Sequence, residues 1–219
     1  DDMRSTNPAS NEPLLKMLAE RFVADGFDIK KLTKFILTSR VYQLSVDVNE
    51  SNKFDEQNFS HARWKAMPAE VLLDAISQAT GVSESFNGWP DGYRAIQIWD
   101  NRMPSYFFRI FGKPQRVSVC ECERGTEPSI AQALHLMNAP ETMTKLRSRF
   151  GVVRRLVESN LSETDIVDEL YLSTLSRFPV ADERKLMVGV FADPASSRQT
   201  SVEDILWTLI NTREFVFNH

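Results

Sequence analysis

The chain has 219 residues, 42% of them hydrophobic and 26% charged, so it can bury a sizeable core without disulfide bonds. Its formal net charge of −4 argues against a general nucleic-acid-binding protein, which would present a basic face. No apolar run approaches the roughly 20 residues of a membrane-spanning helix. We therefore expect a globular chain that neither binds nucleic acid nor inserts into a membrane. Its oligomeric state stays open.

The N-terminal part of the chain predicts two helices joined by a short turn. The first begins after a capping residue, Ser10 or Asn11, and ends at Gly26, which can adopt the left-handed conformation of a helix end. Asp28 then caps the second helix. Because the turn is very short, the two helices should pack as a hairpin. The polar segment 47–60 that follows is typical of a flexible loop.

The rest of the chain predicts further helices and little strand. One helix begins at Pro68 and stops at Gly81, and the alternating apolar residues at 96–98 predict a short strand. Later helices are predicted at 129–137, from Pro140 to Arg147, from Ser162 up to Pro179, at 181–191, and after Ser201 as cap. The fold class is therefore mainly α. We expect an irregular multi-helix bundle over 1–219, a single helical domain, with at most one small β ribbon around 95–122.

Both cysteines lie in a central segment, 100–139, that is unlike the helices around it. Val117 and Val119 alternate with Cys120 and Cys122, which predicts a strand with both thiols on one face. Two buried free thiols are the favoured interpretation. A disulfide is the second, and it would be strained because alternate Cα atoms of a strand lie about 6.6 Å apart. A metal or redox site is the third.

A metal at Cys120 and Cys122 is not favoured, because tetrahedral zinc needs four ligands and this pair supplies two. His135 is the nearest further ligand in the sequence. A single histidine on a helix with an apolar face is more often a core residue. We therefore expect no cofactor.

The same segment carries the main constellation of charges. Asp100, Glu121, Glu123 and Arg124 are candidate catalytic residues, because two carboxyl groups with raised pKa could act as general acid and base, as in glycoside hydrolases. Together with Arg102 and Glu127, these residues more often form arginine–carboxylate pairs that hold an irregular segment in place. We favour the structural role.

Two other stretches have competing interpretations. The run 106–111 is apolar nearly all round, so we expect it in the core, with any exposed part available for interactions. One basic cluster follows it, and a solvated face is its default interpretation over an anionic partner. It comprises Lys145, Arg147, Arg149, Arg154 and Arg155.

Several separate motifs, in order, resemble one known family. They are NEPLLKMLAERFVADGFDIKKLTKFILTSRVYQLS, RWKAMPAEVLLDAI, the stretch from GYRAIQIWDNRMPSYFFRIF to AQALHLMNAPE, and the closing DELYLSTLSRFPVADERKL and DILWTLINTREFVFNH. The chain resembles domain of unknown function 1553, the C-terminal domain of large exported planctomycete-type proteins that often carry a planctomycete cytochrome c domain. The resemblance implies an extracytoplasmic location and a fragment of a longer multi-domain protein. It implies no catalytic residues.

Three functions from different classes follow. The first is a non-catalytic interaction module that docks other domains of the parent protein or a partner protein, and it predicts an apolar groove. The second is an enzyme or polysaccharide-processing accessory with an acidic site at 100–127. The third is a redox or metal role for the cysteine pair. The aromatic run and the missing nucleophile motif favour the first.

Overall fold

The computed structural model describes residues 6–99, 104–114 and 129–218. The chain divides into two compact units, unit 1 up to Trp64 and unit 2 over Lys65–Asn218. No helix within the described ranges has both the length and the apolar character that a membrane crossing requires.

Unit 1 contains the predicted helical hairpin. Its helices are α1 (Glu12–Ala24) and α2 (Ile29–Leu37), and they contact each other. The side chain of Asn11 accepts a hydrogen bond from the backbone N–H of Leu14, and that of Asp28 accepts two at the start of α2. These bonds satisfy backbone donors that a helix start leaves free, so both predicted caps are confirmed.

The turn between α1 and α2 is a left-handed helix end. Gly26 and Phe27 both have positive φ, and the N–H of Phe27 donates to the carbonyl of Phe22. The two phenylalanine rings meet edge to face with centroids 5.4 Å apart. An apolar contact of this kind accompanies the backbone pattern that terminates many helices, so it accounts for the unusual φ of a bulky residue.

Unit 1 has no buried residue among the residues described, 6–64. The predicted loop 47–60 is organised around a carboxylate, because Asp55 accepts hydrogen bonds from the backbone of Gln57, Asn58 and Ser60. The hydroxyl of Ser60 also donates to Asp55, and these bonds hold the pKa of this carboxyl well below its usual value. The loop is therefore a folded turn at the surface.

Unit 2 is a bundle of mostly short helices. In chain order they are α3 (Ala69–Thr80), α4 (Tyr106–Ile110), α5 (Ile130–Asn138), α6 (Pro140–Leu146), α7 (Val152–Val157), α8 (Glu163–Leu175), α9 (Ala181–Gly189), α10 (Arg198–Ile210) and α11 (Arg213–Val216). The described part of unit 2 also contains two 3-10 helices, Ala95–Gln97 and Val190–Ala192. A two-stranded antiparallel ribbon pairs β1 (Lys65–Ala66) with β2 (Phe217–Asn218).

The core of unit 2 is built around α10. This helix packs against α7 and α8, and α3 packs against α8. The apolar stripe that the sequence places on α10, Ile205, Leu206, Leu209 and Ile210, is fully buried. Apolar side chains of α3 and α8 form much of the remaining core, among them Leu72, Ile76, Ile166, Val167 and Leu170. The predicted mainly α fold with one small ribbon is confirmed.

The strand predicted at 96–98 is wrong. The chain forms the 3-10 helix Ala95–Gln97 there, because the carboxylate of Asp74 accepts hydrogen bonds from the N–H groups of Ala95 at 2.6 Å and Ile96 at 3.1 Å. A carboxylate that caps two successive N–H groups favours a turn over an extended chain. Within the described residues, the ribbon joins the start of α3 to the C-terminal residues instead.

Two predicted helix boundaries are also wrong. Ser201 does not cap α10; it is buried inside that helix, and Ser197 is the cap, accepting from the N–H of Thr200 at 3.1 Å. Helix α8 ends at Leu175, before Pro179, because Ser176 adopts a left-handed conformation with φ of 57°. The predicted capping box at Ser162 is confirmed.

Candidate functional site

Most of the predicted site residues lie outside the described part of the chain. Asp100 and Arg102 fall in the gap 100–103, and Cys120, Glu121, Cys122, Glu123, Arg124 and Glu127 in the gap 115–128. The acidic site and the cysteine pair therefore stay predictions.

His135 is the predicted site residue that the structure does describe. It lies on α5, where its half-buried ring meets the rings of Tyr106, Phe107 and Phe111 with centroids 5.3 to 6.1 Å apart. The structure describes no group of three His, Cys, Asp or Glu side chains placed to hold a metal ion. Within these residues His135 has the aromatic surroundings of a packed histidine.

The aromatic run 106–111 supplies those surroundings. Ser105 caps α4 by accepting from the N–H of Phe108. Phe108 and Phe111 are buried, as predicted, whereas Tyr106 is exposed and has the guanidinium of Arg109 5.1 Å from its ring centroid. The run is therefore core on one side only.

Lys145 is not part of a solvated basic face, so that interpretation is wrong for this residue. It is only 7% exposed. Its ammonium donates to the carbonyl of Val82 at 2.8 Å and to the hydroxyl of Ser77 at 3.2 Å, and it lies 3.2 Å from a carboxylate oxygen of Glu84. These contacts join α6 to the end of α3 and the loop after it. A buried ammonium requires such partners, and they lie more than 60 residues away in the sequence.

Among the described residues of unit 2, the titratable groups with shifted pKa values lie at or beside Arg177. Hydrogen bonds from this guanidinium hold the pKa of Glu183 below its usual value, and burial raises the pKa of Tyr171. All five donors of Arg177 are used by Glu183, Glu214 and the carbonyl of Phe178. Because none of these donors is free for a ligand, we assign this cluster the structural role of holding neighbouring helices together.

A pocket of about 290 Å³ lies in unit 2 and is the best candidate for a binding site. Its walls come from β1 with Met67 and Pro68, from Leu72 of α3, from Phe111, from one face of α5, and from 211–217. Ten of its fifteen lining residues are apolar. Pockets of this composition, with a few polar groups at the edge, are typical of binding sites.

Hydrogen bonds hold the walls of the pocket in place. The side-chain amide of Gln132 donates to the carbonyl of Ile110 at 3.0 Å, which fixes α5 against the end of α4. The indole N–H of Trp207 donates to the carbonyl of Met137 at 3.2 Å, which fixes the other end of α5 against α10. On the opposite side, the β1–β2 ribbon joins Ala66 to Phe217. The pocket is therefore largely preformed.

The polar residues at the pocket are mostly occupied by local hydrogen bonds. Ser129 and Gln132 form a reciprocal capping box at the start of α5. The hydroxyl of Thr212 accepts from the N–H of Phe215 and donates to the carbonyl of Leu209. Asn211 donates to the carbonyl of Trp207. Among the described residues, the arrangement is an apolar cavity whose polar groups bond mainly to nearby backbone.

Reasoning from the sequence did not find this pocket. Its residues come from stretches as far apart as Ala66 and Phe217, and each stretch alone has the pattern of an ordinary core element. One local signal is Gln132, because an amide near a helix start must bond to backbone groups if it is buried.

The chain was also compared with known proteins. The profile of the family PSD1, described as Protein of unknown function (DUF1553), matches residues 1–191. The chain belongs to this family. Comparison with curated proteins gave no match, and neither did comparison with solved structures. The DUF1553 match covers unit 1 and unit 2 as far as the end of α9.

Proposed function

We propose that this DUF1553 chain is a non-catalytic binding module, and that the pocket of unit 2 receives an apolar side chain from a protein segment. The observation that carries the proposal is the preformed apolar pocket between α5 and the β1–β2 ribbon. Burial of apolar surface is the dominant favourable contribution to association, and a preformed cavity needs little rearrangement to provide it.

The size of the pocket favours a single side chain over a large ligand. Its volume of about 290 Å³ lies at the lower end of the range for small-molecule sites. Since the resemblance implies a multi-domain exported protein, other domains of the parent protein are the first partners to consider.

The test uses isotope-labelled full chain titrated with the acetylated amides of phenylalanine, leucine, tryptophan and serine. Burying one large apolar side chain contributes about 1.5–3 kcal/mol, so each free amide should bind more weakly than a Kd of about 1 mM. NMR chemical shifts detect binding in this range. We expect one or more apolar amides to shift the signals of Ala133, Leu136 and Val216, and serine amide to leave them unchanged.

A matched pair of variants makes the test specific. Ala133→Leu fills the pocket from α5, whereas Ala131→Leu adds the same side chain on the same helix at an exposed position outside the pocket. Binding should be lost in the first variant and kept in the second. Shifts at the pocket that persist in Ala133→Leu, or no shifts with any apolar amide, would show that the pocket is not the binding site.

A further inference from the structure

Unit 2 displays a second feature suited to binding, formed by residues that do not line the pocket. Three aromatic rings, which we call the aromatic platform, lie together: Trp89 has its ring centroid 5.4 Å from that of Tyr93 and 5.8 Å from that of Trp99. Trp99 is 76% exposed and Tyr93 is 37% exposed. Tryptophan is highly buried on average, so an indole this exposed is unusual.

The aromatic platform is held by the fold. Trp89 is partly buried and packs against the hydrophobic core. Asp74 of α3 fixes the backbone of Ala95 and Ile96, and the ammonium of Lys113 donates to the carbonyl of Ile98, directly before Trp99. The rings are therefore presented on an ordered loop. A preorganised surface loses little conformational entropy when a ligand binds.

Polar side chains of both charges accompany the exposed rings. Asp91 and Arg94 lie on the same loop as Tyr93, and neither forms an ion pair with another described residue. A carboxylate offers only acceptors and a guanidinium only donors. The loop thus combines apolar ring surface with hydrogen-bonding groups that are free to serve a ligand.

A sugar ring has the matching chemistry, because a pyranose presents C–H groups on its face and hydroxyls, both donors and acceptors, around its edge. Nucleic-acid bases also stack on aromatic rings, but their sites need a positively charged groove for the phosphates. Here Arg94 is accompanied by Asp91, and the whole chain carries a net charge of −4. The charge distribution therefore favours a neutral ligand.

A protein partner fits this surface less well. An aromatic side chain can bury ~150–250 Å², so the exposed parts of Tyr93 and Trp99 amount to about 170–280 Å². A stable protein interface covers about 800 Å² on each partner. We therefore propose that the aromatic platform is a stacking site for the pyranose rings of a neutral polysaccharide, with Trp99 as the principal contact and Asp91 and Arg94 bonding to the hydroxyls.

The test is native gel electrophoresis of the full chain through gels that contain a soluble polysaccharide. The neutral polymers are hydroxyethylcellulose, glucomannan, xylan and dextran, and the anionic comparisons are alginate and oligo-dT. We expect at least one neutral polymer to retard the protein. Trp99→Ala should weaken this binding at least tenfold, because the principal stacking face is lost, whereas Trp99→Tyr should stay within about threefold, since an aromatic face remains.

Two further variants complete the design. Phe150→Ala removes an aromatic ring that is 78% exposed elsewhere on unit 2, and it should bind like the unmodified chain. The double variant Asp91→Ala/Arg94→Ala leaves the core untouched and should weaken binding even if Trp99→Ala fails to fold. The proposal is overturned if no neutral polymer retards the protein, if retardation is equal in all variants, or if only alginate or oligo-dT binds.

Discussion

Arg177 and Glu214 are joined by two parallel hydrogen bonds, from Nε to Oε1 at 2.6 Å and from Nη2 to Oε2 at 2.7 Å. The other edge of the same guanidinium bonds to Glu183 at 2.7 and 2.8 Å. One planar group therefore connects the end of α8 to both α9 and α11. This geometry requires arginine, because an ammonium cannot form two fork-shaped pairs at once.

Arg177→Lys should destabilise the protein even though the charge is kept. Hydrogen bonds that involve charged groups contribute about 1.5–3 kcal/mol each, but these side chains are partly exposed, so we expect a loss of about 2 kcal/mol in the free energy of unfolding. Arg155→Lys is the control, because Arg155 is exposed. Denaturant titration of both variants checks the prediction. Equal stability of the two would mean that the paired geometry of Arg177 contributes nothing.

The same cluster predicts a loss of stability in acid. The pKa of Glu183 is held below its usual value of 4.5, first by the hydrogen bond from Arg177, so the unfolded chain binds a proton at higher pH than the folded chain. This contribution is fully present above about pH 4.5 and is lost as the pH falls through the lower, folded pKa. Denaturant titrations at several pH values should show a shallower acid loss for Glu183→Gln. An unchanged acid profile would contradict the assignment.

Lys145→Met should be among the most damaging single substitutions in unit 2. It removes the partner of Glu84 and the donor to the carbonyl of Val82, which then lacks its hydrogen bond. We expect a loss of about 2–3 kcal/mol, since an unsatisfied buried polar group alone costs about 1–3 kcal/mol. Lys185→Met, at an exposed position, should change stability by less than about 0.5 kcal/mol. A thermal melt distinguishes the two outcomes.

Two glycines should respond in opposite ways to the same change. Gly81 ends α3 with a φ of +69°, and an added Cβ would lie 3.0 Å from Cγ2 of Val152, so Gly81→Ala should cost at least about 1–2 kcal/mol. Gly189 is the last residue of α9 and has open space around it, so Gly189→Ala should stabilise by about 0.5 kcal/mol. Denaturation midpoints test the pair. Equal effects of the two substitutions on stability would mean that the backbone conformation and the free space at each glycine do not determine the outcome.

Trp207→Phe should weaken the attachment of α5 to α10, which positions one wall of the pocket, without leaving a large cavity in the core. The variant keeps an aromatic ring but leaves the carbonyl of Met137 without the indole N–H. We expect a loss of about 1 kcal/mol in stability and weaker binding of the apolar amides. The NMR titration measures the binding, and Trp99→Phe is the control, because Trp99 is 76% exposed and does not line the pocket. Unchanged affinity would show that this hydrogen bond does not position α5.

The parts of the fold that could be predicted from the sequence are those determined by interactions between residues a few positions apart. Asn11, Asp28 and Ser162 cap helices by bonding to N–H groups two or three positions away, and the sequence displays both partners. Gly81 likewise ends α3 by its own conformational freedom.

The remaining features of the fold and the pocket could not be predicted, because residues far apart in the sequence determine them. Asp74 turns an apparent strand into a 3-10 helix from 21 residues away, and Lys145 is buried by partners that no local pattern reveals. The pocket belongs to the same class, since its walls meet only when β1 pairs with β2. Periodicity finds the apolar face of each element, but it does not say which faces leave a space between them.

The pairing of Lys65 with Asn218 has a consequence for how unit 2 can be handled, since its first and last residues lie side by side. A domain whose ends meet tolerates a change in where its chain begins. A circular permutant that joins Asn218 to Lys65 through a short flexible linker, and opens in the exposed turn near Pro194, should keep the same packing. For the same reason, unit 2 is suited to insertion as a cassette into a surface loop of a host protein.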